Sequence, residues 1–425
     1  MTVSLLAATG TDGGAPSFHD GGVGACDGCH LAHRTRALPQ TKGGITDDGN
    51  RYLLSRSDAS STCLACHAGD APGAIRILQT RVAAGAGPMN LTPGGDFAWL
   101  VKSFTWHDSR GRHESPGHRH GHNVVAADYG LVADSRLAVA PGGAFPAAAL
   151  TCVSCHDPHG RARLLDDRTV LGSRPSPHPD RPMIRAPGSY GAQPTAAGPV
   201  GVYRLLGAIG YRAAGAPATS AFTAPPPTAV SPAQFNRSER TTDTRVAYGQ
   251  GMSEWCANCH GAIHNDARGT LLVHPASNAS ALAPAVAAYN MYDSGESYTG
   301  AREKAYTSMV PYEEGTGSRS ALAALAVSDG SKRAGPDGDE NVMCLSCHRA
   351  HASGWDGALR WNNAAALLVV DGEWPGTDAF GREAASAGLA QGRSVAETQA
   401  AMYDRLPGTY ARRQRSLCNK CHAED

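Results

Sequence analysis

The chain has no cysteine to spare. All twelve fall in six copies of the pattern C-x-x-C-H: Cys26–His30, Cys63–His67, Cys152–His156, Cys256–His260, Cys344–His348 and Cys418–His422. With none left over, a disulfide framework has no place, and such a framework would need no histidine after each second cysteine. Zinc sites and thioredoxin-like pairs also use C-x-x-C, yet neither demands the adjoining histidine. Histidine makes up 18 of 425 residues, so chance would supply it about once in twenty-odd trials per motif, and here it follows six times out of six.

Other scarcities narrow the class further. No apolar run approaches the roughly 20 residues of a membrane-spanning helix, which excludes a membrane span. Formal charge is zero, with 38 basic against 38 acidic residues, so the chain carries no signature for nucleic acid or a membrane surface. Aromatic residues are only 6%, while Gly 50 and Pro 27 together exceed the usual share. Met1–Gly10 has a short apolar stretch but neither a basic start nor a clear cleavage site, so an export signal is not legible there. Residues 1–17 are read as an N-terminal segment, a possible remnant of such a signal.

Periodic apolar segments are few. Ser320–Val327 and the stretch Ala384–Leu406 read as helix, as does a short turn at each motif; Ala364–Val370 fits strand or helix equally. Pro175–Pro199 and Ala214–Pro232 read as loop. Such a composition would hint at disorder unless something else supplied the core. The expected fold is mostly coil, with few short helices and little sheet.

The motif itself names that core. Two thiols add to the vinyl groups of a haem and the adjoining histidine takes the iron from one face. Six copies imply six covalently bound haem c groups, one per 70 or so residues, in a multihaem cytochrome fold built around stacked haems. Cys26, Cys29, Cys63, Cys66, Cys152, Cys155, Cys256, Cys259, Cys344, Cys347, Cys418 and Cys421 are the attachment thiols on this reading. His30, His67, His156, His260, His348 and His422 are the proximal ligands. The basic residues include 33 Arg and only 5 Lys. Arg pairs bidentately with carboxylates, so propionate binding accounts for part of that surplus, and a codon bias toward Arg accounts for it equally well.

The second axial position decides the chemistry: a histidine or methionine there makes an electron carrier, an open position allows substrate chemistry. No methionine recurs at a fixed offset from a motif. Twelve histidines lie outside the motifs, and three of them, His33, His159 and His351, stand three residues after a proximal histidine in CDGCHLAH, CVSCHDPH and CLSCHRAH. So close to its own proximal ligand, such a histidine cannot reach the opposite face of the same haem and should serve another. His19, His122 and His274 precede the same odd-numbered motifs, which gives three weak repeats of two motifs each, over about residues 18–100, 101–262 and 263–425. His264 rivals His274. Within the cluster His113, His118, His120 and His122, the last is the preferred ligand and the others read as solvated loop; His107 and His178 read as surface.

If His159 serves the first haem and His351 the third, His33 is the unspent member of its set. It would close the series on the fifth haem of a neighbouring molecule. A head-to-tail contact of that kind does not close on itself and generates a filament.

At Arg245–His260 (RVAYGQGMSEWCANCH), Cys344–Gly354 (CLSCHRAHASG) and Leu417–Asp425 (LCNKCHAED), the chain closely resembles the hexahaem nanowire cytochromes. Phe18–Val23, Leu91–Phe97, Gly121–Tyr129 and Cys152–Gly160 extend the resemblance over nearly the whole chain from Phe18, as a single unit 18–425. It implies an extracellular, mostly coil filament of identical subunits with bis-histidine haems, one completed by His33 of the next subunit. It also implies long-range electron transfer to external acceptors such as metal oxides, electrodes or other cells, without enzymatic chemistry. A soluble periplasmic shuttle is the alternative, and a multihaem reductase a more distant one.

Overall fold

Chain that forms no long ladder must satisfy its backbone polar groups by other means. In the computed structural model, which describes residues 26–30, 53–69, 75–172, 193–195, 198–213, 216–263 and 275–423, that is the governing problem. Among the described residues the longest helices are nine residues, Ala59–His67 and Met252–His260, and the longest strands five. Those strands, Phe104–Asp108 and Gly111–Ser115, form an antiparallel hairpin with Phe104 opposite Ser115. Smaller antiparallel sheets join Arg163–Leu164 to Val170–Leu171 and Val200–Gly201, Ala229–Val230 to Ala247–Tyr248, and Tyr292–Ser294 to Ser297–Tyr298. The mostly coil expectation holds.

The periodic segments behave unevenly. SALAALAV forms the helix Arg319–Leu325. Ala384–Leu406 is not one helix: Ala387–Ala390 and Val395–Ala401 are separated by Gln391 and Gly392, both at positive φ. Gly392 lies against the hairpin, where a Cβ would sit 2.6 Å from Thr105 O, so the close approach breaks the helix. Ala364–Val370 is neither strand nor helix. Its residues Val369 and Val370 are fully buried in irregular chain, held by single bridges of Leu367 to Arg415 and Val370 to Glu373.

The apolar interior is divided into clusters, and the three largest each include residues of a motif. One gathers Phe97, Trp99, Phe104 and Trp355 with Leu64 and Ala352. A second joins Tyr289, Tyr306, Tyr312, Trp361 and Trp374 to Cys347, Cys418 and Cys421. A third packs Tyr203, Tyr248, Met252 and Met343 against Cys256.

Buried arginines hold this coil together. Arg360 donates Nε to Leu345 O and Nη1 to Ser308 O, and Arg349 donates Nη1 to Pro93 O. Arg393 donates to the carbonyls of Gly354 and Gln391 while its guanidinium lies between the rings of Phe104 and Trp355, at 4.2 and 4.4 Å. Five fixed donors suit one guanidinium to several loop carbonyls at once. This is a use of the arginine surplus that sequence reading missed.

Candidate haem sites

Each motif is presented on a helical turn, because cysteines three apart lie on one helical face with the histidine close behind. The second and fourth motifs end the two nine-residue helices. Asp58 caps the first of these, its carboxylate accepting from Ser61 N at 2.7 Å. Glu313 serves the other, accepting from Met252 N at 2.9 Å. The first, third and fifth motifs occupy single turns, Cys26–Cys29, Cys152–Ser154 and Cys344–Cys347. The sixth lies on Leu417–Lys420.

The odd-numbered motifs share one construction. After each turn the histidine enters an antiparallel bridge with a leucine: His30 with Leu54, His156 with Leu206, His348 with Leu359. The residue before each leucine, Leu53, Leu205 and Ala358, is left-handed, with φ of 52, 54 and 56°. The residue after it donates its N–H to the second cysteine: Ser55 to Cys29 O, Gly207 to Cys155 O and Arg360 to Cys347 O, at 2.8–2.9 Å. Non-glycine residues at positive φ are costly, so three at matching positions mark a turn that the site requires.

Those turns orient rings. His156 donates Nδ1–H to Arg204 O at 2.8 Å and His348 to Gly357 O at 2.7 Å. The same bond runs from His67 to Ile75 O, from His260 to Pro141 O and from His122 to Ala350 O, at 2.7–2.9 Å. A proton fixed on Nδ1 leaves the Nε2 lone pair available for a metal, as outer-shell partners of ligating histidines do. Burial lowers the basicity of His67, His156 and His351, the last to about 3, and the packed surroundings and neighbouring His260 lower that of His122. Neutral imidazole is the ligating form.

Three proximal histidines face a histidine from elsewhere in the chain. The ring centroids of His30 and His159 are 6.4 Å apart, those of His156 and His351 6.5 Å, and those of His122 and His260 6.0 Å. A metal–imidazole bond of about 2.0–2.1 Å, with the ring centre about 1.1 Å beyond the nitrogen, puts two axial imidazoles of one ion about 6.3 Å apart. The residues therefore fit a six-coordinate haem iron at these three places. His159 lies by the proximal histidine of the first motif, His351 by that of the third and His122 by that of the fourth. His19, His33, His264 and His274 lie outside the described residues, as do residues 1–17, His178 and the side chain of Cys26.

His120 corrects one expectation. It is fully buried, not solvated. Its Nδ1 donates to Trp99 O at 2.9 Å and its Nε2 lies 2.8 Å from Ser115 Oγ, so both nitrogens are taken. Nothing in GHRHGHNVV separates it from His122, because the difference is which carbonyl each ring meets. His113 is half-buried on the hairpin, with Nε2 2.8 Å from Asp108 Oδ1, and His107 is exposed.

Successive motifs also touch. The side chain of Cys63 lies beside that of Cys152, and Cys256 beside Cys344. Two equivalent serines tie these pairs: Ser60 Oγ accepts from Cys152 N and Ser253 Oγ from Cys344 N, both at 3.0 Å. The second motif is thus seated on the third and the fourth on the fifth.

No family model matches the chain. It is 44% identical to the C-type cytochrome OmcS of Geobacter sulfurreducens over 443 aligned positions, covering 100% of this chain and 99% of the relative. Its structure is similar to that in the cryo-EM structure of OmcS nanowires from Geobacter sulfurreducens, with a TM-score of 0.83 and 43% identity over 96% of this chain and 100% of that one. An outer membrane cytochrome S filament from the same organism gives a TM-score of 0.82 at 42% identity, with the same coverage. Haem c is the cofactor these relatives support. With that identity over its whole length, the chain belongs to the OmcS family of c-type cytochromes.

Proposed function

We propose that this chain is the subunit of an extracellular filament that carries electrons along six covalently attached, bis-histidine haems. The observation that carries the reading is the set of three histidine pairs, drawn from distant parts of the chain and spaced at 6.0–6.5 Å. Bound haem supplies a one-electron iron couple. The twelve motif cysteines hold it, the six motif histidines ligate one face, and His159, His351 and His122 ligate the first, third and fourth haems. Three proximal histidines, His67, His348 and His422, then take His19, His33 and His274 as partners.

On this reading the protein does no bond chemistry of its own. Its residues set ring orientation through carbonyl acceptors, exclude water and keep successive motifs in contact, and six filled coordination spheres leave no open iron for a substrate. Residues 18–425 act as one unit, with the second and third and the fourth and fifth motifs joined across the repeat boundaries by their serine contacts. Among the described residues no helix is long and apolar enough to cross a membrane. The relatives' filaments support polymerisation and a place outside the cell; minerals, electrodes or partner cells are the proposed acceptors.

His33 of one subunit is proposed to ligate the fifth haem of the next. The test is His33→Ala, read by haem count, absorption spectrum and electron microscopy. Six attached haems, one newly high-spin iron and loss of filaments are expected. Intact filaments would sink the intersubunit ligand, and a monomeric wild-type protein would favour a soluble shuttle.

A further inference from the structure

The three histidine pairs agree in distance but not in angle. The ring planes of His30 and His159 are parallel within 8°, whereas those of His156 and His351 cross at 58° and those of His122 and His260 at 49°. Ring planes are held from outside the pair. His156 is fixed by its bond to Arg204 O, and His122 and His260 by bonds to Ala350 O and Pro141 O. His351 differs. Its Nδ1 is 3.4 Å from Gly95 O, a long contact, and its face lies on the Phe97 ring, with centroids 4.8 Å apart and planes at 29°. Gly94 closes the edge: a Cβ there would stand 3.0 Å from His351 Nδ1. Phe97 is itself buried, at 3% exposure, so it offers a fixed surface.

The angle has an electronic consequence. Each axial imidazole donates π density into the iron d orbital perpendicular to its own plane. Parallel rings load the same orbital and split the pair strongly; crossed rings load both and leave them nearly equal in energy. We infer that the subunit holds two electronic classes of bis-histidine haem, parallel at the first motif and crossed at the third and fourth, and that Phe97 is the positioning residue that keeps the third pair crossed. The inference rests on the haem assignments above and names a residue for one of the levers by which a protein tunes haem, the orientation of its ligands.

Electron paramagnetic resonance of the frozen, fully ferric holoprotein tests it. The wild type should show a rhombic low-spin signal together with a strongly anisotropic one. Phe97→Leu removes the flat surface and should move about one-sixth of the total spin intensity, one haem of six, between those classes. Gly94→Ala presses on the same ring from its edge and should shift the same component, which keeps the test decisive if the Phe97 variant fails to load haem. A single class of signal from six low-spin haems overturns the inference, and a spectrum unchanged in both variants overturns the role of Phe97. A wild type carrying fewer than six haems, or a high-spin iron, overturns the bis-histidine reading beneath it, and the pyridine haemochrome count separates the two failures.

Discussion

Gly121 stands where the segments carrying two proposed axial ligands, His122 and His351, meet, and replacing it with alanine probes the arrangement directly. Its φ is not in the left-handed region, so alanine carries no backbone penalty there, and the whole effect is steric. An ideal Cβ at Gly121 would lie 2.2 Å from His351 O and 2.6 Å from Ala352 Cα, where ordinary contact begins at 3.4 Å. The segments carrying His122 and His351 must separate by about 1 Å to admit it. Two bonds across that seam, His122 N to His351 O and Ser353 N to His120 O, are each 2.9 Å and would stretch beyond hydrogen-bond range. Two lost backbone bonds at about 1 kcal/mol each, with overpacking at about 2 kcal/mol, give about 4 kcal/mol. That is roughly a thousandfold in the folding equilibrium. Both ligands move, so the third and fourth haems should lose low-spin character while the others keep it. Gly130→Ala is the control: φ is 69° with open space around the Cβ position, so it meets only backbone strain of about 1 kcal/mol. Denaturant titration followed in the Soret band, with a low-spin haem count, reads both. The reasoning fails if Gly121→Ala stays within about 1 kcal/mol of wild type with an unaltered spectrum, or if Gly130→Ala is equally harmful.

Two further expectations concern the buried charges. Arg393→Lys keeps the charge but loses the flat guanidinium between Phe104 and Trp355 and most of its donors; a stability loss of about 3 kcal/mol is expected in urea unfolding. Burial pushes the Glu313 carboxyl up to about 7, so the folded chain holds a proton that the unfolded chain releases above its ordinary value of 4.5. Stability from this group is therefore full below about 4.5, falls as pH rises through the window to about 7, and is level above it. At about 1.4 kcal/mol per pH unit, the stability difference between wild type and Glu313→Gln should change by about 3 kcal/mol across that window. A difference independent of pH would refute the shift.

The attachment motifs and their helical turns were readable because they are local. Two thiols and a histidine within five residues occupy one helical turn, and no distant contact alters that. The placement of His159 near His30 and of His351 near His156 was readable one step further, since a histidine so close to its own motif is expected to serve another. Beyond that the signal thins. His120 and His122 are two residues apart in a run of similar polar residues, and only the carbonyls of Trp99 and Ala350 tell them apart. The helical pattern over Ala384–Leu406 failed because Gly392 is pressed on Thr105, a neighbour nearly three hundred positions away. The arginines looked like partners for propionates or a codon habit, and the burial of Arg349, Arg360 and Arg393 among loop carbonyls was not anticipated.

By itself, then, the sequence determined where the six C-x-x-C-H motifs lie and that the fold would be mostly coil with few short helices. Those properties follow from residue identity and spacing over a single turn. Tertiary structure alone decided which histidine faces which, at what angle, and which motifs lie in contact. A ring plane is set by the carbonyl or aromatic face it meets, as Phe97 meets His351, and those partners come from anywhere in the chain.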